Sequence, residues 1–182
     1  MGTVTTLPRS RPLTRRDLDS MPDDGHRYEL IDGCLVVTPA PSPRHQIVVA
    51  ALVRRLSSAC PDDLRVLMAP LDVALADDTV VQPDVLVGRR DDFTERDLPV
   101  APLLAVEVLS PSTRRVDMTL KRARYEAAGC RSYWVVDPDQ PSLTAWDLRD
   151  GGYVESAHVT GDDEFVAELP YVVRVRASRL LD

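Results

Sequence analysis

Leu103-Leu104-Ala105-Val106-Glu107-Val108-Leu109 reads as a strand buried on both faces, since six of its seven residues are apolar and only Glu107 is charged. A carboxylate inside such a strand is costly unless a cation, a set of hydrogen bonds or a metal compensates it. What lies opposite Glu107 therefore decides both fold and function. Upstream, Pro83-Asp84 opens a second apolar run, Val85-Leu86-Val87. Downstream, Ser110-Pro111-Ser112-Thr113 stops the Glu107 strand, and a helix is expected to about Ala128, with Gly129 as its C-terminal cap. The apolar spacing of that helix gives Val116, Leu120, Ala123 and Ala127 as its packed stripe. Lys121 stands beside this stripe.

Working outward, Thr14 caps a short helix with Asp17 three residues on, and Pro22-Asp23-Asp24-Gly25 turns the chain. Arg27 to Ile31 and Cys34 to Thr38 flank Asp32-Gly33, a two-residue hairpin signal. Ser42-Pro43 starts a helix that runs to about Ala59, with Ile47, Val48, Ala51, Leu52 and Leu56 on one side. Arg65 to Ala76 and Thr79 to Val87 form an antiparallel pair joined at Asp77-Asp78, and Arg89 to Pro102 reads as a loop. Beyond the helix, Arg131 to Val136 is another buried strand, and Leu143 to Leu148 pairs with Tyr153 to Val159. Glu164 to Val175 holds a strand or two, and Ala177 to Leu181 a terminal helical turn. The sum is an α/β (α+β) plan with Asp84 and Glu107 side by side on adjacent strands.

At 182 residues, residues 14–182 suit one domain preceded by a loose tail over 1–13. Apolar residues at 44%, charged residues at 28% and no long apolar run point to a soluble, cytoplasmic protein outside the membrane. Cys34, Cys60 and Cys130, odd in number and without a CxxC pair, read as reduced thiols rather than zinc ligands. The net charge of −7 excludes a surface that grips nucleic acid everywhere. Between Arg114 and Arg131, however, six basic residues stand against Asp117 and Glu126. Such a strip is compatible with a polyanionic substrate, or with a solvated helix face carrying Asp117/Lys121 and Arg122/Glu126 pairs.

Paired carboxylates of this kind suit a hard cation, because Mg²⁺ takes oxygen ligands and often uses only one or two protein carboxylates. A lysine nearby would orient water or stabilise charge on a phosphodiester oxygen. Other partners for these groups are also open: Arg124 or Arg131 for Glu107, a surface pair with Asp117 for Lys121, and a turn role for Asp84.

Val81-Gln82-Pro83-Asp84, Glu107-Val108-Leu109-Ser110-Pro111-Ser112-Thr113, Asp117, Lys121, Tyr125, Gly129 and Tyr133-Trp134-Val135-Val136-Asp137-Pro138 together resemble the bacterial Uma-type restriction endonucleases of the PD-(D/E)XK superfamily. Tyr28-Glu29-Leu30-Ile31-Asp32-Gly33 and Ser42-Pro43-Arg44-His45 extend the resemblance, which spans about Thr14 to Pro138. It implies a restriction-endonuclease-like core, a mixed central sheet flanked by helices with added antiparallel hairpins. It further implies Mg²⁺ or Mn²⁺ bound by Asp84, Glu107 and the Val108 carbonyl, with Glu29 as an added carboxylate and Lys121 positioning the water. The superfamily lysine usually stands two residues after the acid, where this chain has Leu109, and Lys121 matches the relocated position in this family. The expected activity is metal-dependent endonucleolytic cleavage of DNA by a homodimer, with His45, Arg114, Arg115 and Arg124 as candidate substrate contacts. The competing expectations are a catalytically silent binding or assembly module of the same fold, and a metal-dependent hydrolase of small phosphate esters.

Overall fold

The computed structural model describes residues 11–22 and 24–182. The first ten residues of the expected tail, and Asp23 of the expected turn, lie outside the described residues. Pro12 and Leu13, assigned to the tail by sequence, pack on the hairpin. Leu13 is buried, and its N–H donates to the Gly33 carbonyl at 2.9 Å. Gly33 sits at φ +71°, and a Cβ there would meet the Pro12 side chain at 2.4 Å, so glycine is required by both turn and contact.

After α1 (Arg15–Leu18), where the Asp17 carboxylate accepts from the Thr14 N–H at 2.8 Å, β1 (Arg27–Ile31) and β2 (Cys34–Thr38) form the expected hairpin. α2 (Pro43–Ser58) begins as read: Ser42 Oγ accepts from the His45 N–H, and Pro43 takes the first helical position. The long antiparallel pair is divided between two sheets. β3 (Leu64–Met68) pairs with β6 (Val85–Arg89), whereas β4 (Val73–Ala76) pairs with β5 (Thr79–Val81). Pro70 and Pro83, which lack an N–H for the ladder, fall opposite each other at the break. The chain bends there, and Asp84 sits at the joint.

β7 (Leu104–Val108) is the strand carrying Glu107 and pairs antiparallel with β6 and parallel with β8 (Ser132–Asp137). β9 (Ser142–Arg149) and β10 (Gly152–Thr160) complete a mixed six-stranded sheet in the order β10-β9-β8-β7-β6-β3. A four-stranded sheet, β2-β1-β5-β4, lies beside it, and β11 (Glu164–Ala167) pairs with β12 (Val173–Arg176). The fold is mixed α+β, with a central mixed sheet and antiparallel hairpins. One face of the central sheet packs Val85, Val87, Leu104, Val106 and Val108 against Val48, Leu52 and Leu56 of α2. Its other face carries Leu86, Ala105, Tyr133 and Val135 against Tyr125, which explains the apolar run around Glu107. No helix among the described residues is long and apolar enough to cross a membrane.

The helix after β7 departs from its expected form. Val116–Lys121 is a π-helical segment that continues as α3 (Arg122–Ala127). Of the expected stripe Val116 packs against the core, but Leu120 is 46% exposed, and Ala123 and Ala127 are also exposed. Asp117, Lys121 and Tyr125 face inward instead, at 2%, 2% and 0% exposure. The wider turn alters the phase of the helix, and a cluster of opposite charges, rather than apolar surface, selects the buried face. Gly129, at φ +83°, ends the helix as read.

Of the thiols, Cys34 is exposed and Cys130 is fully buried, with burial pushing the Cys130 thiol up to about 12. A disulfide-exchange reagent in mildly alkaline solution will therefore modify Cys34 at once, and Cys130 only on unfolding. Counting released thiolate with and without denaturant checks this.

Candidate active site

Five elements converge beneath one cleft. β1 supplies Arg27 and Glu29, whose i, i+2 spacing puts both on one face of the strand; the joint before β6 supplies Asp84; β7 supplies Glu107; the π segment supplies Asp117 and Lys121; and the first turn of α2 supplies His45. Lys121 Nζ lies 2.8 Å from Glu29 Oε1, 3.2 Å from Glu107 Oε1 and 3.6 Å from Asp117 Oδ1. The lysine thus turns inward and does not form a solvated surface pair. Tyr125 Oη also donates to Glu107 Oε1, at 3.4 Å, and Tyr133 Oη holds the Asp117 carbonyl at 2.8 Å.

Asp84 is held separately. Its Oδ2 accepts from the Val108 N–H at 2.8 Å and contacts His45 Nε2 at 3.1 Å, while Oδ1 accepts from Arg27 Nη1 at 3.1 Å. Val108 therefore meets the acid pair through its amide. Arg27 also donates to the Gln82 carbonyl, and Glu29 Oε1 accepts from the Gln82 N–H at 2.7 Å. These two side chains clamp the Gln82–Asp84 joint from both backbone groups.

The electrostatics of the cluster follow from its composition. Four buried carboxylates, Glu29, Asp84, Glu107 and Asp117, face two permanent cations, Arg27 and Lys121, leaving an excess of two negative charges before His45 is considered. Burial and the neighbouring acids hold the Glu107 carboxyl well above the ordinary carboxylate range despite Lys121. Burial raises Asp117 in the same way. For Asp84 the cost of burial is outweighed by His45, Arg27 and the Val108 N–H, so its carboxyl lies below the ordinary value. Burial would lower Lys121, but Glu107, Glu29 and Asp117 more than compensate and keep it protonated. The shortage of cations thus falls on Glu107, which is held toward its protonated form. Glu29 Oε2 and Asp117 Oδ1 are buried without a hydrogen-bond donor. The orphaned Glu29 oxygen beside an acid-rich cluster is of the donor type a hard cation takes, whereas Asp117 Oδ1 faces the Lys121 ammonium at 3.6 Å.

The structure brings Asp84, Glu107, Lys121, Glu29 and His45 to one cleft of about 640 Å³. It does not bring the arginines there. Arg114 is bound to Asp137 at 2.7 Å, Arg124 lies 3.3 Å from Asp32 on the β1–β2 hairpin, Arg115 is exposed outside the lining, and Arg122 stacks over Trp146. With Lys121 turned inward as well, the basic strip seen in the sequence is dispersed. Arg27 is the site residue that sequence reading missed. Its signal was the alternation Arg27-x-Glu29 on a strand otherwise heading into the core.

The Uma2 family, described as "putative restriction endonuclease", matches residues 15–175. The chain belongs to that family. The Uma2 match contains every residue of the cluster. No curated protein sequence matches the chain. Among solved structures, a protein described as a "putative nuclease" from Anabaena variabilis is similar over 93% of this chain and 98% of its own, with a TM-score of 0.74 and 17% identity. At that identity the likeness to this Uma2 chain is one of fold.

Proposed function

We propose that the chain is a metal-dependent endonuclease that hydrolyses DNA phosphodiester bonds. The observation that carries the reading is a buried cluster, open to a cleft, in which four carboxylates face only two permanent cations and Glu107 is held above the ordinary carboxylate range, an imbalance that one divalent cation would relieve. Asp84, Glu107 and the Val108 carbonyl would hold Mg²⁺ or Mn²⁺, with Glu29 Oε2 as an additional oxygen. When bound, such a cation supplies Lewis-acid polarisation of a phosphoryl group and acidifies water.

The chain's own residues do the rest. Arg27 and His45 keep Asp84 ionised and fixed in direction. Lys121, protonated and steered by three carboxylates, orients the attacking water and stabilises charge developing on the phosphate. Glu29, tied to both Lys121 and Gln82, positions the lysine relative to Asp84. Family membership supports DNA as substrate, and the reading extends to a cytoplasmic homodimer with one domain over 14–182.

A second reading, a silent binding or assembly module, is favoured by the engagement of Lys121 with three acids, which also describes a structural ion cluster. Cleavage of supercoiled and linear DNA in Mg²⁺, Mn²⁺ or EDTA separates the two. The nuclease reading expects metal-dependent cutting, reduced at least about a hundredfold in Asp84→Ala, Glu107→Ala and Lys121→Ala. Folded protein that cuts in none of these conditions, and is not stabilised by either metal, supports the silent module.

A further inference from the structure

One long stretch of the chain differs from the rest in charge. Asp and Glu make up 29 of the 182 residues, yet none stands between Asp32 and Asp62, where Arg44, Arg54 and Arg55 do. That stretch is β2, the segment from Pro39 to Ser42 and the whole of α2. It starts at the cleft, which Thr38, Ser42, His45 and Gln46 line, and α2 carries it away over 16 residues, a rise of about 24 Å.

The inner side of α2 is packed on the central sheet, but Arg44, Ile47, Ala50, Arg54 and Ser57 are exposed on its outer side. Arg44 is anchored at the cleft end: its Nε and Nη2 donate to the Pro138 carbonyl at 3.1 and 2.6 Å, and Asp139 is 3.7 Å away. Arg54 has no ion pair or side-chain hydrogen bond among the described residues. Arg55 is half-buried, with its Nε unpartnered. Beside the far end of α2, Tyr171 Oη donates to the Leu56 carbonyl at 2.8 Å, and on the adjoining β12 Arg174 and Arg176 share the single carboxylate of Glu164. An acidic protein thus presents one layer in which cations outnumber acids. A DNA backbone needs such a surface, because each phosphate met by a cation releases counterions, whereas each carboxylate in its path repels it. Arg44 and Arg54 are separated by about 15 Å along the helix, the length of about four base-pair steps. Ile47 and Ala50 between them are uncharged.

We infer that the outer face of α2 is a track for the DNA backbone leading to the cleft, with phosphates on Arg44 and Arg54. DNA as the polyanion rests on the nuclease reading, and the test keeps the two apart. A fluorescein-labelled duplex is titrated with wild type, Arg54→Glu, Arg54→Gln and Arg149→Glu. The last makes the same change of net charge at an exposed residue of the β9–β10 hairpin. Glutamate and glutamine are both good helix formers, so α2 is kept in the Arg54 variants. Binding is read by anisotropy in Ca²⁺ over a range of salt, and cleavage in parallel in Mg²⁺ and Mn²⁺. Arg54→Glu is expected to weaken binding about tenfold and Arg54→Gln about threefold, each with a slope of log affinity against log salt shallower by about one. Arg149→Glu should change affinity by less than about twofold. Equal losses in Arg54→Glu and Arg149→Glu reduce the effect to net charge and overturn the inference, as does a wild type that binds no duplex. An Arg54 effect on binding in a protein that cleaves nothing upholds the track and removes the hydrolase reading. Unchanged binding by both Arg54 variants, beside wild-type cleavage, overturns the track and leaves the hydrolase reading in place.

Discussion

Lys121→Met will destabilise the protein by about 3–5 kcal/mol near neutral pH, the usual consequence of removing one partner from a buried ion cluster. The side chains have similar volume, so the loss is of charge rather than packing. Glu29, Glu107 and Asp117 would then share a buried site with Arg27 as the remaining permanent cation. The folded-state affinity of Glu107 and Asp117 for protons, already raised by burial, would rise further above that of the unfolded chain. A carboxyl with a raised folded-state pKa contributes fully below its unfolded value, near 4, and loses that contribution as pH rises. The deficit of Lys121→Met relative to wild type should therefore be small near pH 4 and should widen toward pH 8. Urea denaturation of both proteins across that range, with equal m-values, checks the sign and the size. A deficit independent of pH would place Lys121 outside the charge cluster.

Glu107→Gln is expected to move stability and activity in opposite directions. In the metal-free wild type, Glu107 must either ionise in a cluster already rich in negative charge or hold a proton against solution. An amide avoids both. By the same sign argument, the wild type loses stability as pH rises from Glu107's unfolded value toward its raised folded value. Glutamine should thus be more stable by about 1–3 kcal/mol in mildly alkaline solution, the burden of one poorly compensated buried polar group. Near pH 4 the two should converge. Loss of a candidate metal-binding carboxylate should meanwhile lower DNA cleavage at least about a hundredfold. Gains in stability from blunting a functional site are a known trade-off. Paired denaturation and plasmid-nicking measurements on one preparation test both halves.

The contrast between these variants follows from what could be read along the chain. The Asp32-Gly33 hairpin, the start of α2 at Ser42-Pro43 and the strand carrying Glu107 were legible because each depends on local rules: turn chemistry, capping and an apolar run. The division of the long pair into two sheets depended on Pro70 and Pro83 falling opposite each other, a register that sequence alone does not fix. The inward face of the helix after β7 was misread for a different reason. Apolar periodicity selects Leu120, but the partners of Lys121 are Glu29 and Glu107, on two other strands, and their attraction appears only when the chain is folded. Arg27 was hidden in the same way, since it meets the Gln82–Asp84 joint more than fifty residues further along. The acids themselves were legible as anomalies, a charge in a buried strand and another at its neighbour's edge. Which cations answered them was not.

A crystal grown with Mn²⁺ and measured at an energy where manganese scatters anomalously tests the central claim most directly. The account predicts one strong anomalous peak at the floor of the cleft, within coordination distance of Asp84 and Glu107. The peak should vanish in Glu107→Gln crystals that keep the fold. Bound Mn²⁺ elsewhere, or a cleft floor that stays free of metal at concentrations supporting DNA cleavage, would contradict it.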